Sequence, residues 1–415
     1  MSELLRGEPS WVRHAIFWHV YPLGALDAPA TREDADPEAG PDGVAHRLPR
    51  LHAWLDHLLE IGCNGLLLGP VFSSYSHGYD TWDHHAVDPR LGTETDLTDL
   101  ISACHERGIR VGLDGVFNHV GREHPLAKRA LERGSATYFE GHTGLVNLDH
   151  EDDAVLDLII DVLRYWSARG VDCWRMDAAY AMAPEVWQRI LPAVRAEFPD
   201  LYVFGEVIHG DYPAIVESSG FDAVTQYELW KATWSALNDA NLYELDHALT
   251  RHAKFSETFI AQTFLSNHDV TRIASRLTDP RHLRHAVALL THLPGTPSIY
   301  YGDEDGFTGI KYERLGGDAE IRPPLPANPA ELSELGASTR AMYQELVGSR
   351  RRHPWLHEAY LETSDLTNTT LAIRLTARDG VGAVTLALNI GDEDARVADR
   401  RVAAHGIKIW EETGR

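Results

Sequence analysis

Eight short apolar segments, separated by stretches of helical periodicity, limit what this chain can fold into. They fall at residues 15–20, 65–68, 111–116, 172–176, 202–206, 223–226, 259–265 and 298–301. Unbroken apolar and β-branched runs mark strands buried on both faces, as in a parallel sheet. Strands alternating with helices argue for an α/β fold, and eight is the number that closes a (β/α)8 TIM barrel. Between them, residues 48–61 repeat Leu and Trp at helical spacing. Helices over 96–107 and 154–169 each run into a glycine stop, Gly108 and Gly170. No repeat of fixed period is present, which argues against a solenoid.

Three segments break the alternation. Residues 27–43 are rich in Asp, Pro, Ala and Gly and read as a surface loop. Residues 119–150 form an insertion after the third strand, and residues 301–326 form a loop with Gly, Asp and Pro. Long loops at the strand ends of a barrel shape the substrate site. After about residue 352 the pattern changes to period two. Thr370-Leu-Ala-Ile-Arg-Leu-Thr376 and Gly382-Ala-Val-Thr-Leu-Ala-Leu-Asn389 read as antiparallel strands joined by the turn Arg378-Asp-Gly-Val381. The expected organisation is a barrel over residues 1–350, with a short insertion at about 119–150, and a small antiparallel β-sandwich over 351–415.

With 62 acidic residues against 38 basic ones, the formal charge is −24. Such a surface repels nucleic acid and anionic membranes, so neither is expected as a partner, whereas a neutral sugar is not repelled. Cys63, Cys104 and Cys173 sit among apolar residues with no Cys-x-x-Cys spacing and read as buried free thiols. The opening Met1-Ser-Glu-Leu-Leu-Arg6 lacks a basic start followed by an apolar stretch. No apolar run approaches the roughly 20 residues that span a bilayer. A cytoplasmic protein in a reducing compartment is the expectation.

Chemistry concentrates in four stretches: Asp114-Gly-Val-Phe-Asn-His119, Gly170-Val-Asp-Cys-Trp-Arg-Met-Asp177, Gly205-Glu206-Val207 and Phe264-Leu-Ser-Asn-His-Asp269. Polar groups at the ends of buried strands converge on one face of a barrel. Retaining cleavage of a glycosidic bond needs a carboxylate nucleophile and a carboxyl acid/base. Its transition state is cationic, so further negative charge nearby lowers the barrier. Asp177, Glu206 and Asp269 supply these parts. Arg175, two residues before Asp177, shares its face of an extended strand and can keep that carboxylate ionised. His119 and His268 can donate to sugar hydroxyls, and Asp114 can organise Arg175. Any one Asp–His pair reads equally as an ion pair or cap; four such clusters at strand ends argue for a site.

In this order the four stretches resemble the four characteristic regions of the α-amylase family, glycoside hydrolase family 13. The resemblance covers about residues 12–350 and includes Gly78-Tyr-Asp-Thr-Trp-Asp83, Asp88-Pro-Arg-Leu-Gly-Thr93 and Gly295-Thr-Pro-Ser-Ile-Tyr-Tyr-Gly-Asp-Glu304. It implies that Asp177 is the nucleophile, Glu206 the general acid/base and Asp269 the carboxylate that grips the ring hydroxyls. It further implies that His119, Arg175 and His268 bind the glucosyl unit and that Tyr79 stacks on it. In relatives that remove terminal glucose, an Asp after that Tyr and an Arg after the fourth region close the pocket. Asp80 and Arg272 are the matching residues, implying exo action on short substrates, with a plain ion pair as the alternative.

Other implications follow from where this chain departs from the family. The insertion is much shorter than domain B of secreted α-amylases, which helps bind a structural calcium. Asn118 matches a calcium ligand of that group but reads more simply as a hydrogen-bonding strand-end residue, and no cofactor is expected. Gly144-Leu-Val-Asn-Leu-Asp149 is similar to the Leu-Pro-Asp-Leu-Asn-like stretch of the family. The chain is thus most similar to intracellular maltodextrin-degrading members, the neopullulanases, cyclomaltodextrinases and α-glucosidase-like enzymes. Those carry an N-terminal β domain that helps them dimerise; here the first strand begins near residue 15, so the oligomeric state stays open. Ala178-Ala179 follows the nucleophile where α-1,6-acting relatives have Val, implying α-1,4 linkages.

Among aromatics, Trp11, Trp18, Trp54, Trp166, Trp174 and Trp187 are expected in the core, and Phe72, Tyr75, Tyr79 and Trp82 around the sugar. His84 and His85 point opposite ways on an extended chain and make a poor zinc pair. The expected activity is retaining hydrolysis of α-glucosidic bonds in maltooligosaccharides or small α-glucosides. A glucosyltransferase or isomerase acting on a disaccharide would share the intermediate. A non-catalytic sugar-binding protein would be expected to lack one of the three carboxylates.

Overall fold

All eight strands form in the computed structural model, which describes residues 7–314 and 316–412; the opening stretch at residues 1–6 lies outside the described residues. They are β1 (Phe17–Val20), β2 (Gly65–Leu68), β3 (Arg110–Gly115) and β4 (Cys173–Met176). The second half comprises β5 (Tyr202–Gly205), β6 (Ala223–Val224), β7 (Gln262–Phe264) and β8 (Thr296–Tyr300). They run parallel in the order β6-β5-β4-β3-β2-β1-β8-β7. A parallel bridge between Thr225 and Gln262 joins the two ends, so the sheet closes into a barrel.

The strand ends deviate from the expected limits for local reasons. β6 stops early because Gln226 turns its side chain to accept from Leu229 N–H, capping the helix Tyr227–Asn238. β7 starts late because Phe259 N–H still bonds back to Phe255 at the exit of the preceding helix. The segment 48–61 is helical, but as a 3-10 run, Leu48–Trp54, continued by the α-helix Leu55–Glu60. Helix Glu94–Glu106 begins in a capping box between Thr93 and Asp96, and helix Asp153–Ser167 is capped by Asp152. Trp18, Trp54, Trp166, Trp174 and Trp187 are fully buried, whereas Trp11 packs partly buried at the core's edge.

The insertion after β3 is a two-stranded antiparallel unit, His119–Gly121 against Leu145–Asn147, with helix Pro125–Glu132 between them. Beyond the barrel, helix Ala337–Arg352 leads to a four-stranded antiparallel sheet of β9 (Tyr360–Ser364), β10 (Thr370–Thr376), β11 (Ala383–Asn389) and β14 (Gly406–Glu411). A hairpin of β12 (Ala395–Val397) and β13 (Arg400–Val402) lies over it, with Val397 and Val402 packed on Ala372 and Ala387. This is the expected small antiparallel β domain.

Arg350 fastens helix Ala337–Arg352 to the barrel. It is buried and donates to the carbonyls of Thr291 and Leu293, each at 3.0 Å, and to that of Gly295. With no carboxylate on it, the guanidinium serves as a multiple donor to a turn. Arg350→Ala leaves those carbonyls unpaired and is expected to lower unfolding free energy by about 2–3 kcal/mol in urea titration.

Candidate active site

Register places the first contact. β3 and β4 pair so that Asp114 lies opposite Arg175. One guanidinium nitrogen of Arg175 reaches both Asp114 oxygens at 2.7 Å and Asp177 Oδ1 at 3.2 Å. Its other terminal nitrogen lies 2.7 Å from Glu206 Oε1. A single cation therefore joins carboxylates from the ends of β3, β4 and β5. Asp177 donates its N–H to Gly115 O at 3.0 Å, and Glu206 its N–H to Met176 O at 2.9 Å, so ladder bonds carry both residues to the rim.

The residue after Asp177 is strained. Ala178 has φ +46° and ψ +38°, left-handed space that an L side chain enters at a cost. In that conformation its N–H donates to Glu206 Oε2 at 3.1 Å. Glu206 Oε1 also accepts from the Tyr227 hydroxyl at 3.2 Å, and Tyr227 accepts from Asn267 at 3.0 Å. Tyr227 and Asn267 were not singled out in the sequence; a Tyr opening a helix carries no signal of its own.

Across the pocket, Asp269 Oδ2 lies 2.9 Å from His268 Nε2, and Arg322 donates to Asp269 Oδ1 at 3.2 Å. Burial acts to raise the Asp269 carboxyl, but His268, Arg322 and Arg175 outweigh it and hold it below the ordinary range. Tyr79 stacks on His268 with ring centres 5.3 Å apart, donates to Asp114 at 3.0 Å and touches His268 Nε2. His119, at the base of the insertion, accepts from the Asn118 amide on Nδ1 at 3.2 Å. Its proton therefore sits on Nε2, which is buried, unpartnered and 4.0 Å from Asp177 Oδ2. Burial lowers its pKa to about 4, so it stays a neutral donor.

Asp177 is raised well above the ordinary carboxylate value, first by burial and then by the charge of Glu206, with Arg175 opposing. Carboxyls arranged in this way hold a proton between them, as chemistry using one acid and one nucleophile requires. Tyr79, His119, Asp177, Glu206, Tyr227 and Asp269 line a cavity of about 430 Å³ together with Phe139, Tyr180 and Trp230. Phe139 stacks on His119 at 4.4 Å, and Glu140 accepts from the Tyr180 hydroxyl at 3.0 Å, tying the insertion to the loop after β4.

The structure does not pair Asp80 with Arg272. Asp80 accepts from Ser76, N–H at 3.0 Å and hydroxyl at 2.7 Å. Arg272 is wholly buried under Tyr300 and Tyr301 and donates to Asp303 at 2.9 Å. Where Arg272 was expected, Arg322, from the loop after β8, reaches Asp269. Phe72 likewise leaves the aromatic set around the sugar: it is buried against Trp166 and Trp174. Asn118 is buried at the end of β3 and donates through its amide nitrogen to His119. His84 bonds to Val116 O at 2.8 Å and His85 to Asp161 at 2.9 Å.

In comparison with known proteins, the family described as "Alpha amylase, catalytic domain" matches residues 48–144 and 132–358. A cyclomaltodextrinase from a Bacillus species is 31% identical over 344 residues, 72% of this chain and 61% of that protein. A maltogenic α-amylase from Bacillus acidopullulyticus is 28% identical over 385 residues, 81% of this chain and 63% of that protein. The matches thus span about three-fifths of those relatives' length. A ligand-free cyclic α-maltosyl-(1→6)-maltose hydrolase from Arthrobacter globiformis superposes with TM-score 0.84 over 98% of this chain and 100% of that one. At 23% identity, that likeness concerns the fold.

The strain at Ala178 is open to test. Ala178→Val puts a β-branched side chain into left-handed space and is expected to cost roughly 1–2 kcal/mol in urea unfolding. Turnover should fall with it, while Ala178→Gly, which adopts that conformation freely, keeps wild-type turnover.

Proposed function

The chain belongs to the α-amylase family, and from that premise we propose that it is a retaining hydrolase of α-glucosidic bonds, acting on maltooligosaccharides or small α-glucosides. The observation that carries the reading is the shared Arg175 cation, which gathers Asp114, Asp177 and Glu206, the latter two lining one cavity. Asp177 attacks the anomeric carbon as Glu206 gives its proton to the departing glycosidic oxygen. The resulting glycosyl ester on Asp177 is then cleaved by water that Glu206 deprotonates. Arg175 disperses the charge left on Asp177. Asp269 faces the cationic sugar, and His119 Nε2–H and His268 supply donors for its hydroxyls. Tyr79 presents an apolar ring. Each step uses protein side chains and water alone.

Support for short α-1,4-linked substrates comes from two directions. The relatives are named for cyclomaltodextrin and maltose chemistry. The Glu140–Tyr180 contact also walls one side of the cavity, leaving less room for a long chain. Arg322, not Arg272, is the proposed cation closing the far end beside Asp269. The three cysteines are free and buried, in keeping with a reducing compartment, and among the described residues no helix is long and apolar enough to cross a membrane.

Two substitutions test the roles. Asp177→Asn should abolish turnover of maltotriose with the fold retained. Glu206→Gln should lower maltotriose turnover by about 10²–10⁴-fold while sparing the first step on an activated aryl α-glucoside, which needs no proton on its leaving group. Wild-type rates in both variants on maltotriose would overturn the assignment. In the wild type, the acid limb of kcat/KM should lie above the ordinary carboxylate value, since Asp177 must be ionised to attack and its pKa is raised.

A further inference from the structure

Where the C-terminal sheet meets the barrel, four side chains from three segments, with Asp279 and His282 sharing one turn, converge without a role in the chemistry above. A ligand atom from each of Asp279, His282 and His405 lies within 4.8 Å of the other two. His282 Nε2 is 3.1 Å from His405 Nδ1, and Asp279 Oδ2 is 3.9 Å from that Nδ1. His405 Nε2 lies 2.8 Å from Asp392, whose carboxylate can only accept. The proton of His405 is therefore on Nε2, and the Nδ1 lone pair faces His282. None of these residues lines the catalytic cavity.

The ring of His405 is held in place from several sides. Its backbone has φ +49°, left-handed space rare for a side chain of this size. The conformation is retained by its N–H on Gly391 O at 3.1 Å and by His285, which bonds to the next carbonyl, Gly406 O, at 2.9 Å. Arg281, two residues on, donates to both carboxylate oxygens of Asp279 and keeps it beside the pair. His282 is 5% exposed, while the Asp392 side chain is 92% exposed, so the cluster is rigid on the barrel side and reachable from solvent on the other.

Spacing and chemistry agree on a ligand class. At Zn–N bonds of about 2.0–2.1 Å, two nitrogens on a tetrahedral ion sit about 3.3 Å apart, close to the observed separation of the imidazoles. Asp279 then needs only a side-chain adjustment to become the third ligand, and water completes four. Two imidazoles and one carboxylate suit zinc-like ions and are a poor set for calcium or magnesium, which take oxygen ligands. A carboxylate on the outer nitrogen of a ligating histidine is the usual means of fixing its tautomer. We propose that Asp279, His282 and His405 form a binding site for a zinc-like divalent cation, with Asp392 orienting His405, that clips the C-terminal sheet onto the barrel.

The test uses the full chain with any affinity tag removed, stripped with EDTA and dialysed. Calorimetric titration with Zn²⁺ should show one ion per chain and a rise in Tm on saturation, and Ca²⁺ should not compete. Co²⁺ should give the visible bands of a four-coordinate ion. His282→Asn and His405→Asn should each abolish this binding while turnover of maltotriose is retained, which confirms folding. Asp392→Asn should weaken binding about 10–100-fold, and His85→Asn should leave it unchanged. Failure to bind one Zn²⁺ per chain, or binding that survives the double substitution of His282 and His405, overturns the proposal and leaves the imidazoles as a hydrogen-bonded pair.

Discussion

The guanidinium of Arg175 is the interaction on which the site depends. It is buried, and burying a charge is costly unless it is paired and fully hydrogen-bonded. Here the pairing is over-supplied: Asp114, Asp177 and Glu206 all contact it. Adding Asp269 and Arg322, four carboxyls face two guanidiniums around one cavity. Fully ionised, that set carries an excess of negative charge in a place where water is scarce, and one carboxyl must hold a proton to relieve it. In the proposed reaction, the same imbalance favours a cationic sugar over a neutral one. What destabilises the empty site is thus what lowers the barrier.

Much of this was legible because the key residues lie close in the chain or at strand ends. Arg175 and Asp177 are two apart on one strand, and Asp114 ends the strand beside it, so period-two geometry brings them together before any tertiary detail is known. The barrel itself was legible for a similar reason: eight largely apolar strand segments alternate with helices, and buried parallel strands in that number close a barrel. Strand limits were less so, because helix caps such as Gln226 compete with the ladder for the same residues.

What stayed hidden in the sequence depends on loops. Tyr227 meets Glu206, and Phe139 meets His119, only because of where helix Tyr227–Asn238 and the insertion come to rest. Neither residue type nor spacing records that. The left-handed backbone at Ala178 was equally invisible: the small residues after Asp177 were noticed for linkage, whereas the structure ties them to an N–H aimed at Glu206. The absent Asp80–Arg272 pair is the opposite case, in which two suitable residue types each find a nearer partner.

Arg272 still bears on the site, through the loop after β8. Three consecutive acids there are buried, and each has its own partner: Asp303 has Arg272, Glu304 has His57 at 3.1 Å, and Asp305 has Arg340. Trp18 adds a donor to Glu304 at 3.0 Å from β1. Arg272 also donates to Tyr301 O at 2.8 Å and, through its N–H, to Gly309 O at 3.1 Å, bracketing the loop at two points. The Tyr301 hydroxyl reaches further along the same loop to Pro323 O at 2.8 Å, the residue next to Arg322. A chain of buried polar contacts therefore runs from Arg272 to the cation that grips Asp269. The loop that carries Arg322 is thus braced by contacts that lie outside the cavity.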